Sequence, residues 1–283
     1  MSGPARLALL GHPVGHSRSA RIFTAWSARG GPDLVYQAVD VAPGDLDAAL
    51  ARLRAGHWRG VNVTIPHKTA IAPRLDQLEP AARRAGAVNV IVRREDGSLL
   101  GANTDGEGFW AGCRAVLGEA LPGGAVLILG AGGAARGVAE LLSRRGRRVV
   151  VVSRDAERAA RDFAGLAEAC LAWHAAELQR VAGRAALVIQ ATPLGMQPAV
   201  DAVPPLPVEW LRADLVVDLV YRPWETLFLR RVRARGLRAL NGWPMLVHQA
   251  HLAAQKWFGV AAAGSFLTAA AAMESRDPAA ASA

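Results

Sequence analysis

The amino-acid sequence predicts an α/β protein with two domains and a helical C-terminus. Its 283 residues exceed the usual size of a single domain. Short apolar runs alternate with stretches of helical periodicity, which is typical of sheets built from parallel strands. A second series of this alternation starts after Gly123-Gly124. With 52% hydrophobic and 20% charged residues, the chain has enough apolar material for two cores.

The first series occupies the N-terminal third of the chain. Strands are predicted over Leu7–Leu10, Leu34–Val41, Gly60–Thr64, Ala87–Arg93 and Ser98–Ala102. Helical periodicity covers Ser19–Arg29, Gly44–Ala55 and Glu79–Ala85. We therefore predict an α/β domain over residues 1–103.

The second series predicts another α/β domain, over residues 104–240. Its strands are expected at Ala125–Leu129, Arg147–Val152, Ala186–Ile189, Leu215–Leu219 and Leu237–Leu240. Helices are expected between them, at Ala134–Ser143, Ala156–Glu168 and Trp224–Arg235. Two further helices follow from Pro244, and we expect residues 241–283 to pack back on the first domain.

The charge pattern argues against a nucleic-acid partner. Lys and Arg number 33 against 24 Asp and Glu, a formal net charge of +9. The basic residues come in short bursts along the chain, on expected helix ends and polar helix faces. No aromatic residues alternate with them, as a groove for single-stranded nucleic acid would require. We expect a small-molecule ligand instead, and a monomer or a homodimer.

Cysteine usage and hydropathy exclude several other classes. Cys113 and Cys170 form no Cys-x-x-Cys pair, so neither a disulfide scaffold nor a cysteine zinc site is expected. His248 and His251 lie three apart without an accompanying carboxylate, so we expect no metal. No run reaches the roughly 18–20 apolar residues of a membrane span. We expect a cytoplasmic protein without membrane contact.

A glycine-rich turn follows the first strand of the second domain. Gly130, Gly132 and Ala135 fit the pattern Gly-x-Gly-x-x-Ala between a predicted strand and a predicted helix. Glycines there allow a pyrophosphate to approach the free N–H groups of the helix. The context predicts an NAD(P)-binding Rossmann domain, with a turn that binds no ligand as the alternative.

The residues at the end of the next strand indicate whether the cofactor is NAD or NADP. It reads Ser153-Arg154-Asp155, with Arg158 one turn later. Two guanidinium groups are suited to the 2′-phosphate of NADP, whereas NAD sites usually carry an acidic residue there. Asp155 fits the second pattern, or simply caps the following helix. The sequence favours NADP and leaves NAD possible.

Lys68 is the first candidate for acid–base chemistry. Only two of the 33 basic residues are lysines, Lys68 and Lys256. Lysine can release its proton in a protein, which arginine cannot. Lys68 closes the run Asn62-Val63-Thr64-Ile65-Pro66-His67-Lys68, at the carboxyl end of a strand, where Asn62, Thr64 and Lys68 are expected to project. The alternative is a solvated surface lysine.

Asp105 is the second candidate. It stands in Asn103-Thr104-Asp105-Gly106, after the last strand of the first domain. Taken alone, it is most simply a turn or capping residue. Opposite Lys68, its carboxylate would hold the ammonium group and accept a hydrogen bond from a substrate hydroxyl.

Together these motifs resemble the shikimate dehydrogenase family over nearly the whole chain. The matching segments include Gly11-His12-Pro13 with His16-Ser17-Arg18-Ser19, Asn62–Lys68, Gly86-Ala87-Val88-Asn89, Asn103–Gly106, Gly130–Ala135, Ala191–Met196, Asp218–Pro223, and Gly242 with Met245–Ala250. The resemblance implies NADPH-dependent, reversible reduction of 3-dehydroshikimate to shikimate, in the biosynthesis of chorismate and the aromatic amino acids. Residues 1–103 would then bind substrate and residues 104–240 the dinucleotide.

The resemblance also implies roles for individual residues. Lys68 and Asp105 would be catalytic. The substrate would be bound by Ser17, Ser19, Thr64, Asn89, Tyr221 and Gln249, with the carboxylate on the two serines and Tyr221. The cofactor would be bound by Gly130, Ala131, Gly132, Gly133, Ala134, Ser153, Arg154, Arg158, Thr192, Gly242 and Met245.

Several positions depart from the family pattern. Ala20 and Thr24 stand where the family usually has Pro and Asn, and Gln190 where it has Asn. Ser153-Arg154-Asp155 replaces the usual Asn-Arg-Thr. These departures leave open a quinate/shikimate or aminoshikimate dehydrogenase with a relaxed or NAD preference. A catalytically silent nucleotide-binding regulator is the alternative from another class.

Overall fold

The computed structural model describes residues 3–15, 17–119 and 122–274. His16, one of the motif residues, lies outside the described residues. The chain divides into two compact units. One comprises the residues up to Gly108 together with those from Leu246 onward, and the other runs from Phe109 to Met245.

The first unit contains six strands and the helices around them. Its strands are β1 Ala5–Gly11, β2 Leu34–Asp40, β3 Gly60–Val63, β4 Gln77–Leu78, β5 Val90–Arg93 and β6 Leu99–Ala102. The helices before the second unit are α1 Ser19–Ser27, α2 Leu46–Arg54, α3 His67–Ala70, α4 Pro80–Ala85 and the start of α5 Asp105–Leu117. The C-terminal helices are α10 Trp243–Phe258 and α11 Phe266–Glu274.

The sheet of the first unit is mixed. Its strand order is β2-β1-β3-β5-β6-β4, and β1 is parallel to both β2 and β3. β5 is antiparallel to β3 and to β6, so the expectation of a purely parallel sheet is wrong here. A hairpin explains the pairing of β5 with β6: Arg94 N–H donates to Ser98 O, and Gly97 takes φ +82° in the turn between them. The segment from α3 to α4 lies between β3 and β5 in the chain.

The core of the first unit consists of two apolar layers on this sheet. On one side α2 packs through Leu46, Leu50 and Leu53 against Val61 and Ile91. On the other, α1 and α11 form an aromatic cluster in which the rings of Phe23, Trp26 and Phe266 lie within about 6 Å of one another. Trp26 Nε1 also donates to Ser265 Oγ over 3.0 Å.

The second unit contains a fully parallel six-stranded sheet. Its strands are β7 Ala125–Leu129, β8 Arg148–Ser153, β9 Ala169–Ala172, β10 Ala185–Gln190, β11 Leu215–Asp218 and β12 Ala239–Leu240. Its helices are α6 Gly133–Arg144, α7 Ala156–Asp162, α8 Leu178–Ala182 and α9 Leu227–Ala234, besides the end of α5. The strand order β9-β8-β7-β10-β11-β12 is that of a dinucleotide-binding Rossmann sheet.

The predicted α/β fold class is confirmed, and one predicted helix is wrong in its second half. The sequence suggested a helix over Ala156–Glu168, but α7 ends at Asp162. Phe163 turns into the core, where it is 1% exposed, and Gly165 takes φ +75°. Glu168 N–H then pairs with Val149 O, which starts β9 beside β8.

Candidate active site

Lys68 and Asp105 form a nearly buried ion pair in the first unit. Lys68 lies on α3 directly after β3, and Asp105 is the first residue of α5. Lys68 Nζ donates to Asp105 Oδ2 over 2.6 Å. Their side chains are 13% and 3% exposed, so the ammonium group keeps limited contact with solvent while the carboxylate has almost none. An ammonium and a carboxylate in this geometry can hold a hydroxyl or carbonyl oxygen and exchange a proton with it.

Backbone contacts hold both partners of the pair. Val88 N–H donates to Lys68 O over 2.7 Å, which ties α3 to the segment before β5. The imidazole of His67, 1% exposed, lies 2.7 Å from Val41 O through Nε2. Asn103 Oδ1 accepts from Asp105 N over 3.0 Å and so fixes the start of α5. The Asp105 side chain is therefore free of the capping role that the sequence alone suggests.

Asn89 connects Asp105 to its surroundings. It is 1% exposed, and its Nδ2 lies 3.1 Å from Asp105 Oδ1, 3.1 Å from Gln249 Oε1 and 2.9 Å from Thr104 Oγ1. Its Oδ1 accepts from Thr104 N over 2.8 Å. Asn89 thus aligns the Asp105 carboxylate with the Gln249 amide, in addition to the substrate contact that the resemblance implies for it.

The other polar side chains predicted for the first unit occupy three different places. Ser17 Oγ donates to Ser19 Oγ over 3.2 Å at the start of α1. Thr64 follows β3 and is half-buried, with its N–H on Leu10 O. Gln249 lies on α10 and contacts Asn89 directly, so the structure brings Gln249 but not the two serines into the Lys68–Asp105 network.

Asn62 does not project at the strand end as the sequence suggests. It is 4% exposed, and its Oδ1 accepts from Tyr36 Oη over 2.7 Å. Its Nδ2 donates to Asn89 O over 3.1 Å. Asn62 therefore supports the backbone of Asn89 from inside the sheet. Alternation along β3 gives no sign of this, because all four strand residues are buried.

The glycine-rich turn of the second unit fits a dinucleotide phosphate. Gly132 precedes α6, and no side chain caps that helix. A Cβ built on Gly132 meets no atom within 4 Å, so the space in front of the helix is open to a ligand. The N–H groups of the first turn offer donors to an anion there. Ala131, Gly133 and Ala134 are all partly exposed beside this space.

Gly130 and Gly242 are required by packing within the protein. Gly130 has φ +110°, and a Cβ on it would lie 2.8 Å from Thr192 Cγ2. A Cβ on Gly242 would lie 2.1 Å from Leu219 O. Met245 is 8% exposed and belongs to the apolar core of the second unit. The structure therefore gives these three predicted cofactor residues a packing role of their own.

The residues predicted to bind the 2′-phosphate of NADP lie at and after the end of β8. Asp155 caps α7, since its Oδ1 accepts from Arg158 N over 2.8 Å, so the capping alternative is correct. Arg154 is exposed, and Arg158 Nε lies 3.5 Å from Asp162 Oδ2 with its side chain 73% exposed. Ser153 Oγ accepts from Asp155 N over 3.3 Å. Two accessible guanidinium groups thus flank one capping carboxylate.

Sequence reasoning missed three polar residues that organise these regions. Thr104 is 3% exposed and donates through Oγ1 to Gln249 O over 3.1 Å, which joins α5 to α10. Gln190 and Asp218, both 0% exposed, hold the loops after β10 and β11. Thr104 and Asp218 stand in segments used for the resemblance, and Gln190 stands beside one. Gln190 and Asp218 are each the polar last residue of an apolar strand, and this pattern could have identified them.

The described residues include no metal cluster and no spanning helix. In residues 3–15, 17–119 and 122–274, no group of three or more His, Cys, Asp or Glu is placed to hold a metal ion. Within the same ranges, no helix combines the length and the apolar character that crossing a membrane requires. Cys113 and Cys170 are free thiols, and burial raises the pKa of Cys113 to about 12.

A Rossmann sheet with an uncapped glycine-rich turn, joined to a unit with a buried Lys–Asp pair, defines a dinucleotide-dependent α/β oxidoreductase. The model of the shikimate dehydrogenase substrate binding domain matches residues 9–91. The shikimate dehydrogenase (NADP(+)) of Moorella thermoacetica is 47% identical over 261 residues, covering 89% of this chain and 88% of the relative. The chain belongs to the shikimate dehydrogenase family, and the resemblance inferred from its motifs is confirmed.

Solved structures agree with this assignment. The shikimate 5-dehydrogenase of Thermus thermophilus in complex with NADP(H) and shikimate is 35% identical, with a TM-score of 0.80. The alignment covers 94% of this chain and 99% of that one. The ligand-free 5-ketofructose reductase of Gluconobacter sp. strain CHM43 is 32% identical, with a TM-score of 0.77 and coverage of 94% and 98%. The same fold therefore also serves a reductase named for a different substrate.

Proposed function

We propose that the protein is an NADP-dependent shikimate dehydrogenase, which reduces the ring ketone of 3-dehydroshikimate to the hydroxyl of shikimate and catalyses the reverse reaction. The observation that carries this proposal is the Lys68–Asp105 pair, 2.6 Å apart and almost closed to solvent. A silent nucleotide-binding protein would have no use for a shielded proton donor. The family membership and the names of the relatives supply the substrate class and the cofactor.

The first unit supplies the proton. When bound, NADPH supplies the hydride that reduces the ring carbonyl carbon. Lys68 Nζ donates a proton to the carbonyl oxygen as negative charge develops on it, and it takes that proton back from the hydroxyl in the oxidation direction. Asp105 holds the ammonium group in place and accepts from a neighbouring substrate hydroxyl. Proton transfer of this kind contributes roughly 10²–10⁴-fold to the rate.

The remaining polar side chains of the first unit orient the substrate. Ser17 and Ser19 donate to its carboxylate, and Thr64, Asn89 and Gln249 bind the ring hydroxyls. Neutral donors bind a small carboxylate without a buried cation, and several fixed partners select one arrangement of hydroxyls. The family resemblance implies that Tyr221, in the second unit, also binds the substrate carboxylate.

The second unit holds the cofactor. The backbone N–H groups of residues 132–134 bind the pyrophosphate, and Arg154 and Arg158 bind the 2′-phosphate through charge-assisted hydrogen bonds. Thr192 lines the nicotinamide side, while Gly130, Gly242 and Met245 shape the surrounding loops. Ser153 completes the adenosine end beside the two arginines.

A four-way kinetic comparison tests the function. Purified protein is assayed by the absorbance of reduced nicotinamide, with shikimate or quinate as the alcohol and NADP or NAD as the oxidant. We expect kcat/KM with shikimate and NADP to exceed the other three combinations. A preference for quinate or for NAD would favour the relaxed dehydrogenases of the same family. No turnover of either alcohol, or a preference for 5-ketofructose with NADPH, would reject the proposal.

We place the reaction in the aromatic branch of amino-acid biosynthesis, in the cytoplasm, where NADPH is available for reduction. The expected assembly is a monomer or a homodimer. Sedimentation of the purified protein measures the assembly independently of activity.

A further inference from the structure

Two buried polar side chains close neighbouring strands of the second unit. Gln190 is the last residue of β10 and Asp218 the last residue of β11, and the two are register partners in the parallel ladder. Both are 0% exposed. The carboxyl edge of such a sheet is where ligands bind, yet neither side chain can reach a ligand itself.

Gln190 holds the loop that follows β10. Its Oε1 accepts from Thr192 N over 2.5 Å and from Thr192 Oγ1 over 2.6 Å. Its Nε2 lies 3.1 Å from Thr192 O and 3.0 Å from Leu194 O. The loop thus wraps around a single side-chain amide.

Asp218 holds the loop that follows β11. Its Oδ1 accepts from Val220 N over 3.0 Å and from Gln190 Nε2 over 3.2 Å. Its Oδ2 accepts from Thr226 Oγ1 over 2.6 Å, and Thr226 in turn caps α9 through Leu229 N. Both ends of the segment from Val220 to Thr226 are therefore fastened to one carboxylate.

The two loops are also confined from outside. Ala191 N donates to Leu129 O over 2.8 Å, and the loop after β10 lies against Gly130, where a Cβ would not fit. Gly242 N donates to Val220 O over 3.0 Å, and a Cβ on Gly242 would not fit beside Leu219 O. The backbone at one end of each loop is therefore held by packing, and the hydrogen bonds of Gln190 and Asp218 hold the rest.

We propose that Gln190 and Asp218 are positioning residues for the reaction, which fix Thr192 toward the nicotinamide and Tyr221 toward the substrate carboxylate. This inference rests on the proposed function. A carboxylate buried among uncharged partners costs free energy of folding. In the described part of the chain all the groups bonded to Asp218 are uncharged, so placement of the loops is the benefit that offsets this cost.

Hydrogen exchange tests the placement without any catalysis. The variants are Asp218→Leu and Gln190→Leu, which remove the hydrogen-bonding groups, and Asp218→Asn, which keeps the volume of aspartate and one acceptor oxygen. Asp214→Asn, an exposed change at the other end of β11, is the matched control. We expect the amides of Val220 in Asp218→Leu and Thr192 in Gln190→Leu to exchange at least tenfold faster, with Asp218→Asn intermediate and the control unchanged.

Steady-state kinetics separate positioning from stability. We expect Asp218→Leu to raise KM for shikimate about tenfold and KM for NADP less. We expect the reverse for Gln190→Leu, because its loop carries Thr192. Where Asp218→Leu fails to fold, Thr226→Val removes the hydroxyl donor to Asp218 and Thr226→Ser retains it. The valine variant should raise KM for shikimate and the serine variant should not.

Three results would overturn the inference. One is uniform acceleration of exchange across the second unit. Another is a loss of activity that follows only the folded fraction, with both KM values unchanged. The third is equal behaviour of Thr226→Val and Thr226→Ser. Wild-type protein that does not oxidise shikimate rejects the proposed function instead, and the exchange rates of Thr192 and Val220 still report whether the two side chains fix the loops.

Discussion

Lys68 Nζ and Asp105 Oδ2 lie 2.6 Å apart although the two residues are 37 positions apart in the chain. One residue follows β3 and the other follows β6, and β5 lies between these strands in the sheet. A buried ion pair contributes little net stability, because desolvation offsets most of the Coulomb attraction. The presence of this ion pair beside a network of amides is therefore better explained by a role in catalysis than by a contribution to stability.

Replacing Lys68 by Arg should lower turnover strongly although the positive charge is retained. Guanidinium does not release its proton near neutral pH, so general acid catalysis is lost. We expect kcat to fall roughly 10²–10⁴-fold while KM for shikimate changes by a modest factor. Initial rates with reduced nicotinamide as the signal measure both.

Lys256 provides the matched control for that change. Its Nζ contacts both carboxylate oxygens of Glu79, at 2.7 and 2.8 Å, and it has no assigned role in catalysis. Lys256→Arg should leave kcat within about twofold, since a guanidinium can keep this pair. Loss of shikimate binding in Lys68→Arg with kcat intact would make Lys68 a binding residue.

Alanine at Gly132 and at Gly130 should have different consequences. Gly132 has open space around a Cβ and φ −81°, so Gly132→Ala should cost no more than about 1 kcal/mol, the effect of alanine at a helix N-cap. The added methyl would obstruct a pyrophosphate, and we expect KM for NADP to rise about tenfold or more. Gly130→Ala should cost about 2–4 kcal/mol of unfolding free energy, from its positive φ and the contact with Thr192.

Calorimetry and NADP titration of both variants check this pair of expectations. A Tm decrease in Gly132→Ala as large as that in Gly130→Ala would mean that this glycine is needed by the fold. Unchanged NADP affinity in Gly132→Ala would mean that the pyrophosphate does not bind at this turn.

The sequence predicted the direction of the strands in the second unit but not throughout the first, and it missed one strand in each, β4 and β9. Apolar runs, a glycine turn and helices in alternation specify a parallel sheet, and each predicted strand there overlaps an observed one. In the first unit, Glu95-Asp96-Gly97 between two strands was a hairpin signal, and it accounts for the antiparallel pairing of β5 with β6. Alternation of strands and helices alone does not predict that β5 runs antiparallel to β3.

The site was predictable in its residue types and less so in its contacts. Lys68 stood out because the chain contains so few lysines. Asn62 and Asn89 did not reveal that their amides bond inside the protein, because those partners come from distant segments such as Tyr36 and Gln249. Long-range hydrogen bonds of this kind leave no local pattern in the sequence.

Replacing both Arg154 and Arg158 by Ala should weaken NADP far more than NAD. Two charge-assisted hydrogen bonds to the 2′-phosphate are lost, on the order of 100-fold in affinity. NAD lacks that phosphate and should bind within about threefold of wild type. Fluorescence titration of the reduced cofactors measures both, and equal losses would refute phosphate recognition by these residues.

Asp155→Asn should strengthen NADP binding. Asparagine caps a helix about as well as aspartate, so α7 should keep its first turn. The variant removes a negative charge that lies between Arg154 and Arg158 in the chain, and repulsion of a doubly charged phosphate falls accordingly. We expect NADP affinity to rise roughly three- to tenfold at low salt and less at high salt. An unchanged NADP affinity would place the carboxylate away from the phosphate.

Asp218 should give the protein an unusual dependence of stability on pH. Burial raises the pKa of Asp218 from its ordinary 3.8 to about 6, against the lowering effect of hydrogen bonds from Thr226, Val220 and Gln190. Between these two pKa values the folded state binds more protons at this site than the unfolded state. The stability contributed by Asp218 is therefore present below about pH 4 and lost as the pH rises through about 6.

Asp218→Asn removes this titration, so the comparison with wild type isolates it from other groups. We expect the unfolding free energy of wild type, relative to Asp218→Asn, to fall by up to about 3 kcal/mol between pH 4 and pH 7. Urea unfolding at several pH values measures the difference. The same series for Asp214→Asn, whose side chain is exposed, should show no such trend relative to wild type. A wild-type difference that stays constant or grows with pH would mean that Asp218 is ionised in the folded state at pH 4, and that its hydrogen bonds outweigh its burial.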